Sequence, residues 1–398
     1  MNTSAIPDFR SEEFLTGHIR SILDFYAPNV IDESGGFFHN YRDDGSLFES
    51  GLRHLVSSTR MVFNYCTAYR LFDKPEYRDA ALHGLTYVDE VHWDPEREGY
   101  HWLLQDHTPV EQTNHCYGLA FVMLAYSSAL GIGIESARDG IYRVWGLLEK
   151  HFWLPERGIY ADEATADWSS VSSYRGQNAN MHCCEALIAA FEATGDKQFF
   201  QRARDLAETV AVKLAAKGGG LVWEHYTENL DVDWDYNRDD PKNLYRPWGF
   251  QPGHQTEWSK LLLTLYGHRP EEWMLHRARA LFDESFDRCW DSERGGIYYG
   301  HSPAGDICDD DKYFWVQAES FAAAAMLAEA TGDEHYWRVY QTIWEYCWTH
   351  MVDHKHGAWY RLLNADNQRY SDEKSAAGAK CDYHTIGACA QTLQLIVD

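Results

Sequence analysis

Apolar residues along the chain fall into two alternating kinds of helical stretch. The first kind is apolar on nearly every side: SSTRMVFNYCTAYRLF from Ser57, NHCYGLAFVMLAYSSAL from Asn114, NANMHCCEALIAAFEATG from Asn178, HQTEWSKLLLTLYG from His254, QAESFAAAAMLAEATG from Gln317 and YHTIGACAQTLQLIVD from Tyr383. Such helices must be enclosed by protein. The second kind interleaves charged and apolar residues at helical spacing, as in YRDAALHGLTYVDEV from Tyr77, FFQRARDLAETVAVKLA from Phe199, WMLHRARALFDESFDRCW from Trp273 and YWRVYQTIWEYCWTHMV from Tyr336. One face of each should meet solvent, which predicts outer helices.

A third element separates these pairs. Glycine followed by aromatics recurs six times after an acidic or polar turn, beginning at Asp32, Asp94, Leu154, Ala216, Asp291 and Asp353. Glycine, β-prone aromatics and a polar turn together predict short hairpins. With Gly36, Gly99, Gly158, Gly220, Gly296 and Gly357 as markers, the intervals are 63, 59, 62, 76 and 61 residues, so the fourth is long. Six units of inner helix, turn, outer helix and hairpin predict an all-α (α/α)6 toroid of about twelve helices, with hairpins joining each outer helix to the next inner one. Residues 1–398 then form one domain. An open solenoid would end in a polar capping helix, whereas the C-terminal segment is apolar.

The toroid has a chemical consequence. All inner helices begin at the same end of the ring, so polar residues at their starts should converge on the axis. Those starts carry Arg60, Asn114 with His115, Asn178 with His182, His254 with Glu257, Gln317 with Glu319, and Asp382 with His384. The second halves of the same helices are almost wholly apolar. Helix N-termini also favour developing negative charge, and imidazoles can exchange protons near neutral pH. Enolate-forming chemistry suits such an environment.

Composition narrows the ligand. The 398 residues carry a formal charge of −26 spread along the chain, which disfavours nucleic acid and anionic membranes and leaves a neutral ligand as the best fit. No run approaches the roughly 20 apolar residues of a membrane helix. The N-terminus lacks a basic segment followed by an apolar one, so a cytoplasmic location is expected. Nine scattered cysteines show no metal-ligand spacing, and aromatics at 15% permit stacking on sugar faces. His354 and His356 read as a solvated turn, and the acidic run Asp309 to Asp311 as a solvated loop without a second acidic motif. HExxH, Walker and GxGxxG motifs are absent, so neither a metal nor a cofactor is expected.

RGQNANMHCCEALIAAFEATGD from Arg175, RPWGFQPGHQTEWSKLLL from Arg246, WVQAES from Trp315 and DYHTIG from Asp382 resemble the signature segments of the N-acylglucosamine 2-epimerase superfamily. GHQTEWSKLL resembles its bacterial aldose–ketose isomerase branch, which includes mannose isomerases. The resemblance covers essentially the whole chain. It implies a metal-free, cofactor-free pocket in which His254 and His384 shuttle a proton on an opened sugar, and it matches Arg60, Asn178, His182, Arg246, Glu257 and Glu319 to further site positions. Asn114 and Trp315 complete the expected substrate-binding set.

On this reading Glu257 holds His254 in its tautomer. Arg60 and Arg246 neutralise a cis-enediolate, while Asn178, His182 and Glu319 fix hydroxyl groups. The long fourth interval is similar to a loop that covers the pocket in the isomerase branch. The implied substrate is a free monosaccharide, with mannose and fructose foremost and lyxose and xylulose behind, handled by a monomer or homodimer. A 2-epimerase would use the same intermediate, a glycoside hydrolase would use paired carboxylates such as Glu257 and Glu319, and a sugar-binding toroid would need no proton-transfer groups.

Overall fold

In a computed structural model, which describes residues 6–243 and 245–397, twelve helices of eleven or more residues form a two-layered ring. The inner layer is α2 (Leu55–Phe72), α4 (Cys116–Gly131), α6 (Gln177–Thr194), α8 (Pro252–His268), α10 (Phe314–Thr331) and α12 (Tyr383–Val397). The outer layer is α1 (Glu12–Tyr26), α3 (Pro75–Tyr87), α5 (Ala137–Leu147), α7 (Lys197–Glu208), α9 (Glu272–Cys289) and α11 (Glu334–Tyr346). Inner helices are buried along nearly their whole length, and α10 packs Ala322 to Ala325 fully inside. The polar faces of α7 and α11 remain outside.

Two outer helices escape the repeat pattern. The stretch Ala137–Leu147 is short and interrupted by Gly140, whose α-carbon lies against the ring of Tyr126. The stretch Glu12–Tyr26 precedes the first repeat, yet it packs on α12 and supplies that last inner helix with its outer partner. First and last elements thereby complete the ring, and α12 also meets α2.

Closure is visible in the backbone pairing. The segment ahead of each inner helix bonds to the hairpin region of the next unit: Leu52–His54 with Leu103–Gln105, Asn114–His115 with Glu163–Ala164, Arg175–Gly176 with His225–Tyr226, Phe250 with His301, and Lys312–Tyr313 with Leu362–Leu363. The final one, Glu373–Ser375, returns to Asn40–Arg42 in the first unit. An open solenoid leaves that last pairing unmade.

The acidic residues that open the hairpins explain the repeated turns. Asp32, Asp94, Asp291 and Asp353 each accept backbone N–H groups two or three residues on. Three of them also bind a buried cation placed 21 residues later: Arg53 on Asp32 at 2.5 Å, Lys312 on Asp291 at 2.8 Å and Lys374 on Asp353 at 2.6 Å. Each ion pair ties a hairpin to the strand that leads into the next inner helix. Four outer helices, α3, α5, α7 and α11, widen into a π turn before their hairpins.

The acidic run is not a solvated loop. Asp309 and Asp311 are buried, and Lys242 reaches into the cluster, 3.3 Å from each of them and 2.9 Å from Asp310. Lys242 belongs to the long fourth interval, so this contact fastens that loop to the rim. The sequence reading of the N-terminal segment falls partly on residues 1–5, and the predicted last helix reaches Asp398; those positions lie outside the described residues.

Candidate active site

A cavity of about 440 Å3 opens at the end of the ring where the inner helices begin. Arg60, Asn178, His182, Arg246, His254, Glu257, Trp315 and His384 all line it. Eight of the ten expected residues therefore share one hollow, although they span 324 positions of sequence from Arg60 to His384.

At its centre the Trp315 ring stands beside both imidazoles, 5.0 Å from that of His254 and 5.6 Å from that of His384, tilted by 35° and 37°. Close helix packing fixes this arrangement: a Cβ on Gly253 would lie 2.5 Å from the Trp315 ring, so only glycine lets α8 approach α10 here.

Each imidazole is oriented by a buried carboxylate. His254 donates from Nδ1 to Glu224, whose two oxygens are both 3.0 Å away, and Gln177 donates to the same carboxylate at 2.9 Å. His384 donates from Nδ1 to Glu319 at 2.7 Å. Such bonds fix the tautomer and leave Nε2 as the basic nitrogen. Burial, aided by Arg60 and His182, holds the His384 imidazole down to about 4 against the pull of Glu319, so it is a neutral base at physiological pH.

Three expectations need correction. Glu257 does not hold His254; Glu224 does, because the His254 ring turns back toward the segment before His225–Tyr226 rather than along its own helix. Glu319 does not contact the cavity, since it is spent on His384 and on Lys260, 2.5 Å away. Asn114 is likewise absent from the lining: its amide donates to the Thr165 carbonyl at 2.8 Å and accepts from Arg97 at 3.1 Å. Its neighbour His115 faces the cavity instead, against Trp102 with ring centres 4.0 Å apart.

Glu257 is the unusual group. It is buried on the cavity wall and neither of its oxygens has a hydrogen-bond partner among the described residues. Burial, and then the Glu319 carboxylate beside it, push it well above the usual carboxylate range, which favours its neutral acid form. Glu319 stays ionised: burial opposes this, but Lys260 and His384 override it. His182 leans on Glu185 at 2.9 Å and faces the rings of Tyr117 and Phe121.

The arginines occupy two levels. Arg60 sits deep, stacked 4.3 Å from the Phe121 ring and 4.9 Å from that of Tyr383, and donates to the Tyr117 hydroxyl at 3.0 Å. Arg246 comes down from the long loop. It is pinned by Glu163 and by the Tyr236 hydroxyl at 3.0 Å, and its guanidinium lies 4.0 Å from the Tyr174 ring. Tyr245 and Pro247 flank it, so the loop forms part of the cavity wall.

The family model for N-acylglucosamine 2-epimerase matches residues 36–388. The chain belongs to the N-acylglucosamine 2-epimerase family. A D-mannose isomerase from Marinomonas mediterranea is 52% identical over 391 residues, covering 98% of this chain and 99% of its own. A cellobiose 2-epimerase from Bacteroides fragilis is 23% identical over 402 residues, covering 94% of this chain and 95% of its own. A crystal structure of a D-mannose isomerase superposes with a TM-score of 0.96 at 52% identity, covering 98% of this chain and 100% of the other.

Several residues of the site were not legible beforehand. Glu224 and Asp162 lie in irregular segments with no periodicity to mark them. Tyr117 and Tyr174 read as ordinary aromatics. His115 could have been chosen over Asn114 had the start of α4 been placed at Cys116.

Proposed function

We propose that this family member is an aldose–ketose isomerase that interconverts D-mannose and D-fructose, and by the same steps D-lyxose and D-xylulose. The observation that supports it best is the pair of carboxylate-locked imidazoles beside Trp315, both lining one cavity with room for a monosaccharide. The 52% identity to a D-mannose isomerase points the same way.

The reaction moves one C–H proton and two hydroxyl protons, and the electrons stay within the sugar. After ring opening, Nε2 of one imidazole takes the proton from C2, and the C2–H bonding pair becomes the double bond of a cis-enediolate. The same imidazole returns the proton to C1. The second imidazole moves the O1 hydroxyl proton to O5 as the ring opens and, after the C1=O π pair has become the O1 anion, passes the O2 proton to O1. Arg60 faces the negative oxygens with a charge that burial strengthens. Neutral Glu257 donates a hydrogen bond to the same oxygens, while Arg246, Asn178 and His182 hold the remaining hydroxyls. The proton traffic is complete without a metal or redox cofactor, and a cytoplasmic enzyme acting on free sugar is part of the proposal.

Incubation with D-mannose in heavy water, followed by NMR, tests it. Fructose is the expected product, with deuterium at C1 in the fraction of turnovers in which the imidazole proton exchanges with solvent before its return. Glucose without fructose would replace this reading with 2-epimerisation, and recovery of unexchanged mannose would reject both.

A further inference from the structure

Lys260 stands one helical turn beyond Glu257 on α8, and it is 4% exposed. Burying an ammonium costs several kcal/mol unless carboxylates surround it. Here they do. Its Nζ lies 2.5 Å from Oε2 of Glu319, and the Glu185 carboxylate adds to the negative field that holds it charged. Side-chain oxygen and nitrogen atoms of Glu257, Glu319 and His384 lie within 4.8 Å of one another, as do those of His182, Glu185 and Glu257. Three carboxyl groups thus crowd one small volume, and Lys260 and Arg60 are fixed positive charges that bear on it.

We infer that Lys260 is a positioning residue for the isomerase reaction: through Glu319 it fixes the orientation and basicity of the His384 imidazole without touching substrate. The order of contacts is Lys260 to Glu319 Oε2, then Glu319 Oε1 to His384 Nδ1 at 2.7 Å. One carboxylate oxygen is therefore assigned to each partner, which sets the angle at which Nε2 meets the cavity. Lys260 also decides which carboxyl ionises. Its contact is with Glu319 and not Glu257, so Glu319 is the anion and Glu257 keeps its proton.

Loss of the ammonium has a definite sign. The charged and titratable groups around the pair are Arg60 on α2, Tyr117 on α4, His182 and Glu185 on α6, His254 and Glu257 on α8, Glu319 on α10, and Tyr383 and His384 on α12. Asp382 also adjoins His384, but its charge is met by Lys380. Without Lys260 the Glu319 carboxylate loses its direct cation partner, so the His384 imidazolium is favoured and neutral base is lost at a given pH.

The turnover arm of the test rests on the isomerase reading, and the spectroscopic arms do not. In Lys260→Met, kcat for mannose is expected to fall at least about tenfold with KM changed less than about threefold, and the acidic limb of kcat should move up by about one pH unit. Lys260→Arg should recover part of the rate. In a Glu319→Gln background, Lys260→Met should cost little more, because the two act in series. Nitrogen-15 NMR of labelled histidine should show the same upward movement of the His384 titration.

Unchanged kcat and an unchanged His384 titration in Lys260→Met would overturn the inference, and so would full additivity with Glu319→Gln. Should that variant fail to fold, carbon-13 NMR of labelled glutamate in the wild-type enzyme decides. Glu319 must remain ionised throughout pH 5–8, and its protonation within that range would reject the proposal.

Discussion

Glu224 is the residue by which this active site can be judged most sharply, since sequence reasoning gave its task to Glu257. Replacing Glu224 with Gln keeps the shape and removes the charge. The His254 Nδ1 proton then faces an amide in place of two carboxylate oxygens at 3.0 Å, and the Gln177 amide loses its anionic acceptor at 2.9 Å. A hydrogen bond to a charged group contributes about 1.5–3 kcal/mol, and each 1.36 kcal/mol of lost transition-state stabilisation is a factor of ten. Turnover should therefore fall by about 10- to 150-fold, with KM nearly constant because Glu224 does not line the cavity. Steady-state kinetics of mannose conversion, with melting temperature as the control for folding, provide the measurement. Glu257→Gln, a neutral side chain in place of a neutral acid, should cost less than Glu224→Gln. The reverse order, with Glu224→Gln at wild-type rate and Glu257→Gln crippled, would refute the assignment.

Two further outcomes follow from local packing and charge. Gly253→Ala places a methyl 2.5 Å from the Trp315 ring and 2.8 Å from Val316, an overpacking that should cost about 1–3 kcal/mol and raise KM by moving the indole; an unchanged melting temperature and KM would contradict the packing account. Asp162 is raised to about 7 by burial, above the 3.8 of a free aspartate, so the stability it contributes is full below pH 4 and disappears as the pH rises through 7. Asp162→Asn removes that loss, and its melting temperature relative to wild type should climb between pH 5 and pH 8; a flat or falling difference would show that the carboxylate is not a burdened buried charge.

How much of this was readable beforehand depended on whether regular structure carried the information. The inner helices announced themselves because burial on every side leaves an almost uninterrupted apolar string, and interruptions such as His182 in NANMHCC then stand out as chemistry. The same logic fails where the backbone is irregular. Glu224 acts on a histidine 30 positions later, across a segment with no periodic signal. Helix α1 lies outside the repeat because the chain begins with an outer helix, so the partner of α12 comes from the opposite terminus. Asn114 was chosen one residue from His115, and at a strand-to-helix junction a single position turns a side chain from the cavity to the hairpin behind it. The 21-residue offset between hairpin acid and strand cation was present in the sequence at Asp32 and Arg53, Asp291 and Lys312, and Asp353 and Lys374, but its meaning depends on knowing which strands adjoin.

The central claim is that two imidazoles, 130 residues apart in sequence, act on one substrate from a shared cavity. The most direct test is the turnover of His254→Asn and His384→Asn, each measured on protein whose circular dichroism and melting temperature match wild type. Loss of general acid–base catalysis predicts that kcat falls by at least about a hundredfold in each variant. Near-normal turnover in either one, with the fold intact, would contradict the account.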